Sequence, residues 1–168
     1  MTNAIRLEPW RPGDLPLLRR LMGDPEMTKH LGGPESEEKI AERQGRYEAA
    51  ADSETTWVFK VVDDVSGEAL GSVAYWEREW RGHDVWEIGW SVLPEFQGRG
   101  IAGRATAAAL DDARGRGRHR FVHAYPSVDN APSNAICRKL GFEPLGETEF
   151  EYPKGSYMRC NDWRYDLS

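Results

Sequence analysis

Apolar positions recur along the chain with two different periods, and the changes between them divide it into strands and helices. Ile5 to Trp10 reads as a short opening strand. Pro12-Gly13-Asp14 ends it, and Asp14 is placed to cap a helix that carries Leu17, Leu18 and Leu21 on one face and stops near Gly23 or Pro25. After the turn Gly32-Gly33-Pro34, Ser36 to about Ala51 is charged and weakly amphipathic through Ile40 and Tyr47, which predicts a surface helix. From Thr55 the chain turns β-branched and aromatic. Trp57 to Val62 and Ala69 to about Trp80 read as strands joined through Ser66-Gly67, and Arg81-Gly82-His83-Asp84 as a turn into a third strand that ends at Leu93. These three are expected to pair antiparallel.

The third strand breaks into a glycine turn that opens a helix rich in small residues (Ala102, Ala105, Ala107, Ala108, Ala109, Ala113), with Gly115 and Gly117 ending it. His119 to Tyr125 follows as a strand, and a right-handed strand-helix-strand crossover makes its two strands parallel neighbours. A last helix has Asp129 or Asn130 as cap, Pro132 in its first turn, Arg138 and Lys139 near its end and Gly141 just past it. Phe142 to Phe150 and Tyr157 to Leu167 close the chain as strands. The order predicts an α/β chain of mixed α+β type, with a largely antiparallel central sheet, one parallel pair and about four helices, in a single domain over 1–168.

Composition narrows the function classes. Neither end carries an apolar run of signal-peptide or membrane-span length, so a soluble cytoplasmic protein without a membrane partner is expected. Cys137 and Cys160 have no metal-ligand spacing and are too few for a disulfide framework, so free thiols and no metal are expected. A net charge of −6 argues against a nucleic-acid partner. Positive charge is local, with six arginines against two aspartates between Arg99 and Arg120. They suit a solvated helix face or a small polyanionic ligand equally well. Trp76, Trp80, Trp86 and Trp90 share one hairpin; they suit an aromatic floor for a substrate, although core and cross-strand packing is the commoner use.

The glycine turn is where chemistry enters. The first backbone N–H groups of a helix lack partners and carry partial positive charge, and a phosphate reaches them only where no side chain blocks the approach. Gly98, Gly100 and Gly103, with Ala102, leave that backbone nearly bare. Gly98 to Gly103 fits the dinucleotide pattern G-x-G-x-x-G, but Pro94 to Gln97 separates it from the strand. About 20 residues on, Arg118 to Arg120 stand where an acidic ribose partner belongs, which leaves only an NADP reading open.

A longer pattern is more specific. Gln97-Gly-Arg-Gly-Ile-Ala102 matches Q-x-x-G-x-A, and Asn130 to Phe142 matches N-x-x-S-x-x-x-C-x-x-x-G-F. Together they resemble the GNAT superfamily of acetyl-CoA-dependent N-acetyltransferases. Glu87 to Gly100 and Met158 to Leu167 look most like the branch with the ribosomal-protein alanine N-acetyltransferases. The resemblance implies a GNAT-like sheet in which the strands ending at Leu93 and Tyr125 splay apart around the pantetheine arm of acetyl-CoA. Backbone groups of Val92 and Leu93 would then pair with that arm, and Gln97, Gly98, Arg99, Gly100, Ile101, Ala102, Gly103 and Arg104 would form the phosphate-binding turn. Asn130 would face the arm while also capping its helix. The implied activity is acetyl transfer to a primary amine by direct attack in a ternary complex, with a homodimer as the family-level expectation.

Such a transfer needs a base for the ammonium, a donor for the oxyanion and an outlet for the departing thiolate. Glu87 is the expected base, because it alternates onto one strand face with Gly89 and Ser91. A backbone N–H near Val92 or Leu93 is the expected oxyanion donor. Many family members place a tyrosine where this chain has Cys137, so Cys137 and Ser133 are the candidate acids. The alternative is a non-catalytic acyl-CoA-binding sensor or scaffold. The acceptor side is expected around Met27 to Pro34 and Trp76 to Asp84. A protein N-terminus, a polyamine, an amino acid and an aminoglycoside-like antibiotic all fit.

Overall fold

Period-two patterning builds seven strands of the described residues into one sheet. The computed structural model describes residues 4–152 and 154–168; residues 1–3 and 153, which the single-domain expectation includes, lie outside them. The strands are β1 Ile5–Pro9, β2 Thr56–Asp63, β3 Ala69–Trp80, β4 His83–Val92, β5 Phe121–Ala124, β6 Glu143–Glu151 and β7 Tyr157–Asp166. They lie in the order β1-β2-β3-β4-β5-β7-β6, and every neighbouring pair is antiparallel except β4 with β5. The helices are α1 Leu15–Met22, α2 Glu37–Ala49, α3 Ile101–Arg116 and α4 Ala131–Leu140. The mixed, largely antiparallel sheet with one parallel pair and four helices is the predicted architecture. Among the described residues, no helix is long and apolar enough to cross a membrane.

Both faces of the sheet are covered. On one face α3 lays Ile101, Ala105, Ala109, Leu110 and Ala113 against Val73, Tyr75, Trp86, Ile88 and Val122. Small residues let the helix approach closely, and Thr106 is buried without loss because its Oγ1 donates to Ala102 O at 2.7 Å. On the other face α1 and α2 bring Leu17, Leu18, Leu21, Met22 and Ile40 against Trp10, Val58 and Leu93. Ser36 Oγ accepts from the Lys39 N–H and caps α2.

Local details depart from the sequence reading where long-range partners intervene. Asp14 makes no side-chain cap on α1; its carboxylate accepts from the Arg11 N–H at 2.8 Å and from Lys60 Nζ at 2.9 Å, tying the helix start to β2. α2 is mostly exposed, as predicted, but Gln44 is buried and accepts from Trp10 Nε1 at 2.9 Å. The β3–β4 turn is only Arg81-Gly82, with φ of 51° and 83°, so His83 and Asp84 belong to β4. Two positive φ values give the turn the twist that a two-residue hairpin requires. α3 runs through Gly115 to Arg116 and is capped by Gly117. β5 keeps only four of the seven residues expected, and β7 lies between it and β6.

Gly71 is packed against β4 so tightly that a Cβ there would lie 2.1 Å from Ser91 O and 2.9 Å from Val92 Cα. Both are backbone atoms of a strand paired along its length and have little freedom to yield. Gly71→Ala is expected to lower stability by about 1–3 kcal/mol, read as a lower urea midpoint with an unchanged slope.

Candidate active site

The parallel pair closes over just two positions, Trp86↔Val122 and Glu87↔His123, and then β4 and β5 part. β4 stays bound to β3 on its other edge as far as Gly71↔Val92, and Leu93 N–H donates to Leu70 O at 2.9 Å. Strand alternation then turns the backbone groups of Val92 away from β3, towards the gap. Of the two backbone positions expected to serve a ligand, Val92 presents its amide to the gap. That of Leu93 is already engaged.

Beyond Leu93 the chain makes a short turn, and Gln97 Nε2 reaches back to Val92 O at 2.9 Å. Gly98 and Gly100 both take left-handed φ (78° and 74°), a conformation that favours glycine. Gly100 is the N-cap of the 16-residue α3 and offers no side chain to its free amides. A Cβ added at Gly98, Gly100 or Gly103 would meet nothing within 4 Å, so the helix start faces open space. Ile101 anchors it from beneath in the core, and Ala102 packs on the same cluster. Arg99 Nη2 donates to Glu95 O, and Arg104 donates to Gly100 O and Arg99 O, each at 3.3 Å. Both guanidiniums therefore brace the turn and add positive charge beside it. Arg118 pairs with Glu77 and Arg120 with Asp166, so the arginines of the NADP reading are engaged elsewhere.

A cavity of about 850 Å³ opens at the gap, lined among others by Trp76, Glu87, Ser91, Tyr125, Asn130 and Ser133. Glu87 sits on its floor with 12% of its side chain exposed and accepts from Arg78 Nη1 at 2.8 Å. Burial raises its carboxyl above the ordinary value, against the opposing pull of Arg78. The Arg78 guanidinium lies 4.4 Å from the ring centre of Phe150, 5.1 Å from Trp80 and 5.4 Å from Tyr125, which holds the cation in place. On the far side of Glu87, His123 Nδ1 and Asp162 Oδ1 are 2.7 Å apart, both residues buried.

The four tryptophans divide between the two uses. Trp86 is wholly buried under α3, whereas Trp76 and Trp90 line the cavity and Trp80 donates to Asp162 Oδ2 at 3.0 Å. Gly89 makes room for Trp76, whose ring would lie 3.3 Å from a Cβ at that position.

The two motif helices place their residues unequally. Asn130 Oδ1 caps α4 by accepting from Ser133 N–H at 3.2 Å, and both residues line the cavity. Cys137 does not. Its thiol is fully buried in the core beneath α4, away from the cavity lining, and burial pushes it up to about 12. Sequence reading missed Arg78 and Tyr125. Parity gave a signal for the first, since Arg78 lies two residues beyond Trp76, which faces Glu87 directly.

A family model described as an acetyltransferase (GNAT) domain matches residues 4–143. The chain belongs to the GNAT acetyltransferase family. Among GNAT structures it is similar to an acetyltransferase from Salmonella typhimurium that modifies the N-terminal serine of ribosomal protein L7/L12 (TM-score 0.82, 21% identity, 100% of this chain and 97% of that one). It is also similar to the spermidine N-acetyltransferase of Vibrio cholerae, solved with CoA and spermine (TM-score 0.81, 20% identity, 97% and 95%). At such identities the likeness establishes the GNAT fold. In sequence it resembles the mycothiol acetyltransferase of Saccharomonospora viridis, 41% identical over 73 residues, which are 44% of this chain and 22% of that protein. The chain spans less than two thirds of the length of the curated relatives that it matches, 22% to 62% in the examples.

A carboxyl whose proton affinity is raised by folding costs stability as pH climbs from the ordinary value, about 4.3, through the raised one, because the folded state then binds more protons than the unfolded. Without the Arg78 cation the rise should be larger. Arg78→Met is expected to steepen the fall of unfolding free energy between that value and neutrality, measured by urea titrations at stepped pH. A wild-type slope would show that Arg78 does not set the proton affinity of Glu87.

Proposed function

We propose that this protein is an acetyl-CoA-dependent N-acetyltransferase that moves an acetyl group to a primary amine by direct attack in a ternary complex. The observation that carries this reading is that β4, which holds the buried Glu87 in a cavity where it parts from β5, runs on into an open, unblocked helix start. The GNAT family and the CoA-bound relative support the same assignment.

Cofactor binding, proton removal and the oxyanion each have a candidate group in the chain. The amides at the start of α3 suit a pyrophosphate, with Arg99 and Arg104 adding charge, and Val92 and Asn130 line the path of an amide-bearing arm. Glu87 serves as base. An alkyl ammonium has a pKa near 10, so an ordinary carboxylate is a poor proton acceptor for it; burial narrows the difference, and Arg78 keeps the residue ionised and oriented. The Val92 N–H is the oxyanion donor, fixed by its strand before substrate arrives and therefore without reorganisation cost. The acceptor is a primary amine held against Trp76 and Trp90, which line the cavity beside Glu87.

Gly103 tests the donor site cleanly, because it lies within α3 and its Cβ direction is open. An aspartate in the first turn of a helix favours the helix dipole. Gly103→Asp is therefore expected to keep or raise stability while abolishing acetyl-CoA binding, measured by calorimetric titration beside the wild-type protein, which is expected to bind. Undiminished acetyl-CoA affinity in the folded variant would remove the glycine turn from the site.

Turnover with a panel of primary amines tests the chemistry and separates an enzyme from an acyl-CoA sensor. Glu87→Gln is expected to lower kcat about 100-fold or more, with acetyl-CoA affinity preserved and the acidic limb of the pH profile lost. Wild-type kinetics in that variant would exclude Glu87 as the base.

A further inference from the structure

On the acetyl-transfer reading above, two of the three charges that develop have a partner. Glu87 takes the ammonium proton and the Val92 amide faces the oxyanion. The third, on the departing sulfur, finds none in Cys137, whose thiol lies in the core.

Tyr125 follows the last residue of β5, and the parallel register carried forward places it level with Gly89, two residues beyond Glu87 on β4, with both Gly89 and Glu87 lining the same cavity. By strand alternation it shares a sheet face with His123, the register partner of Glu87. Its ring lines the cavity and is fixed by stacking on Phe150 (4.9 Å between centres) and His123 (5.8 Å), with Trp80 tilted against it at 4.9 Å. Its hydroxyl oxygen is buried and has no hydrogen-bond partner among the described residues. Buried hydroxyls are nearly always satisfied, so one held unspent at the edge of a cavity points to a ligand atom. Ser133 also lines the cavity but is half-exposed, where water can serve its hydroxyl.

We infer that the Tyr125 hydroxyl donates a hydrogen bond to the thioester sulfur as it departs, and so is a catalytic residue of this transfer. The ammonium gives one proton to Glu87, the amine nitrogen forms its bond to the acetyl carbon, the carbon–sulfur bond breaks with its electron pair on sulfur, and the second nitrogen proton goes to water. The thiolate leaves hydrogen-bonded to Tyr125, which keeps its own proton, and is protonated afterwards by water. Burial, followed by the nearby Asp162 and Glu87 carboxylates, pushes the phenol far above its ordinary value, so it acts as a donor and not as an acid. Its position is set by packing before any substrate binds, which is what makes a single donor effective.

Tyr125→Phe removes one oxygen and keeps the ring. It is expected to lower kcat about 100-fold, the low end of what one preorganised donor supplies, with the KM for acetyl-CoA and the shape of the pH profile unchanged. Its melting temperature should equal or exceed that of the wild type, because a buried unpaired hydroxyl has been deleted. Tyr125→Phe turning over within twofold of wild type overturns the inference, as does a kcat loss accompanied by a fall in melting temperature, which marks a structural role. Wild-type protein that binds acetyl-CoA yet acetylates no amine in the panel overturns the transferase reading itself, and the role of Tyr125 with it.

Discussion

The brevity of the β4–β5 pairing is the constraint on which the site depends. β4 is committed to β3 along its whole length, and β5 is committed to β7 over all four of its residues. Each strand therefore follows a different half of the sheet, and two register pairs are all that hold the halves together edge to edge. Beyond Glu87 and His123 the exposed backbone of β4 has donors and acceptors to offer and no strand to receive them. An extended, amide-bearing ligand can complete the sheet there as another strand would. The split also brings the end of β4, at Ser91, and the start of α4 to one opening.

Electrostatics at the opening is set by a contest that burial wins. Glu87 has a guanidinium at 2.8 Å, which by itself would hold a carboxylate low, yet its proton affinity is raised. The guanidinium is also no free agent: three aromatic rings surround it, so its charge is spread over a packed cluster and not delivered by a mobile side chain. A base of this kind is tuned by what surrounds both members of the ion pair. Trp80 joins the two ends of that surrounding, touching Arg78 with its ring and Asp162 with its indole N–H.

Much of this was legible in the sequence, and what was not has a physical reason. Leu17, Leu18 and Leu21 marked α1, Asn130 and Gly141 bounded α4, and the bare glycines after Gln97 marked the helix start, because each signal is local and acts within a turn or two of its own element. Strand order has no local signal. Nothing near Tyr157 announces that β7 slips between β5 and β6, and β5 was overestimated because its pairing depends on that distant strand. The motif spacing placed Cys137 on the right helix but could not tell which face of α4 the sheet would bury. Likewise Asp14 looked like a cap until Lys60, 46 residues away, supplied a stronger claim on its carboxylate. Side-chain partners across the sheet, Arg78 with Glu87 above all, exist only once register exists.

The alanines of α3 carry a consequence that reaches beyond packing. Ala105, Ala109 and Ala113 set how far the helix axis stands from the sheet, and the helix start is a rigid extension of that axis. The distance between the glycine turn and β4 is thus gauged by methyl groups buried in the core beneath the helix. Divergence among descendants of this chain should follow that constraint. Any cation can supply charge beside the turn, whereas a single added methylene beneath the helix would move the whole helix start and change which acyl carriers it accommodates.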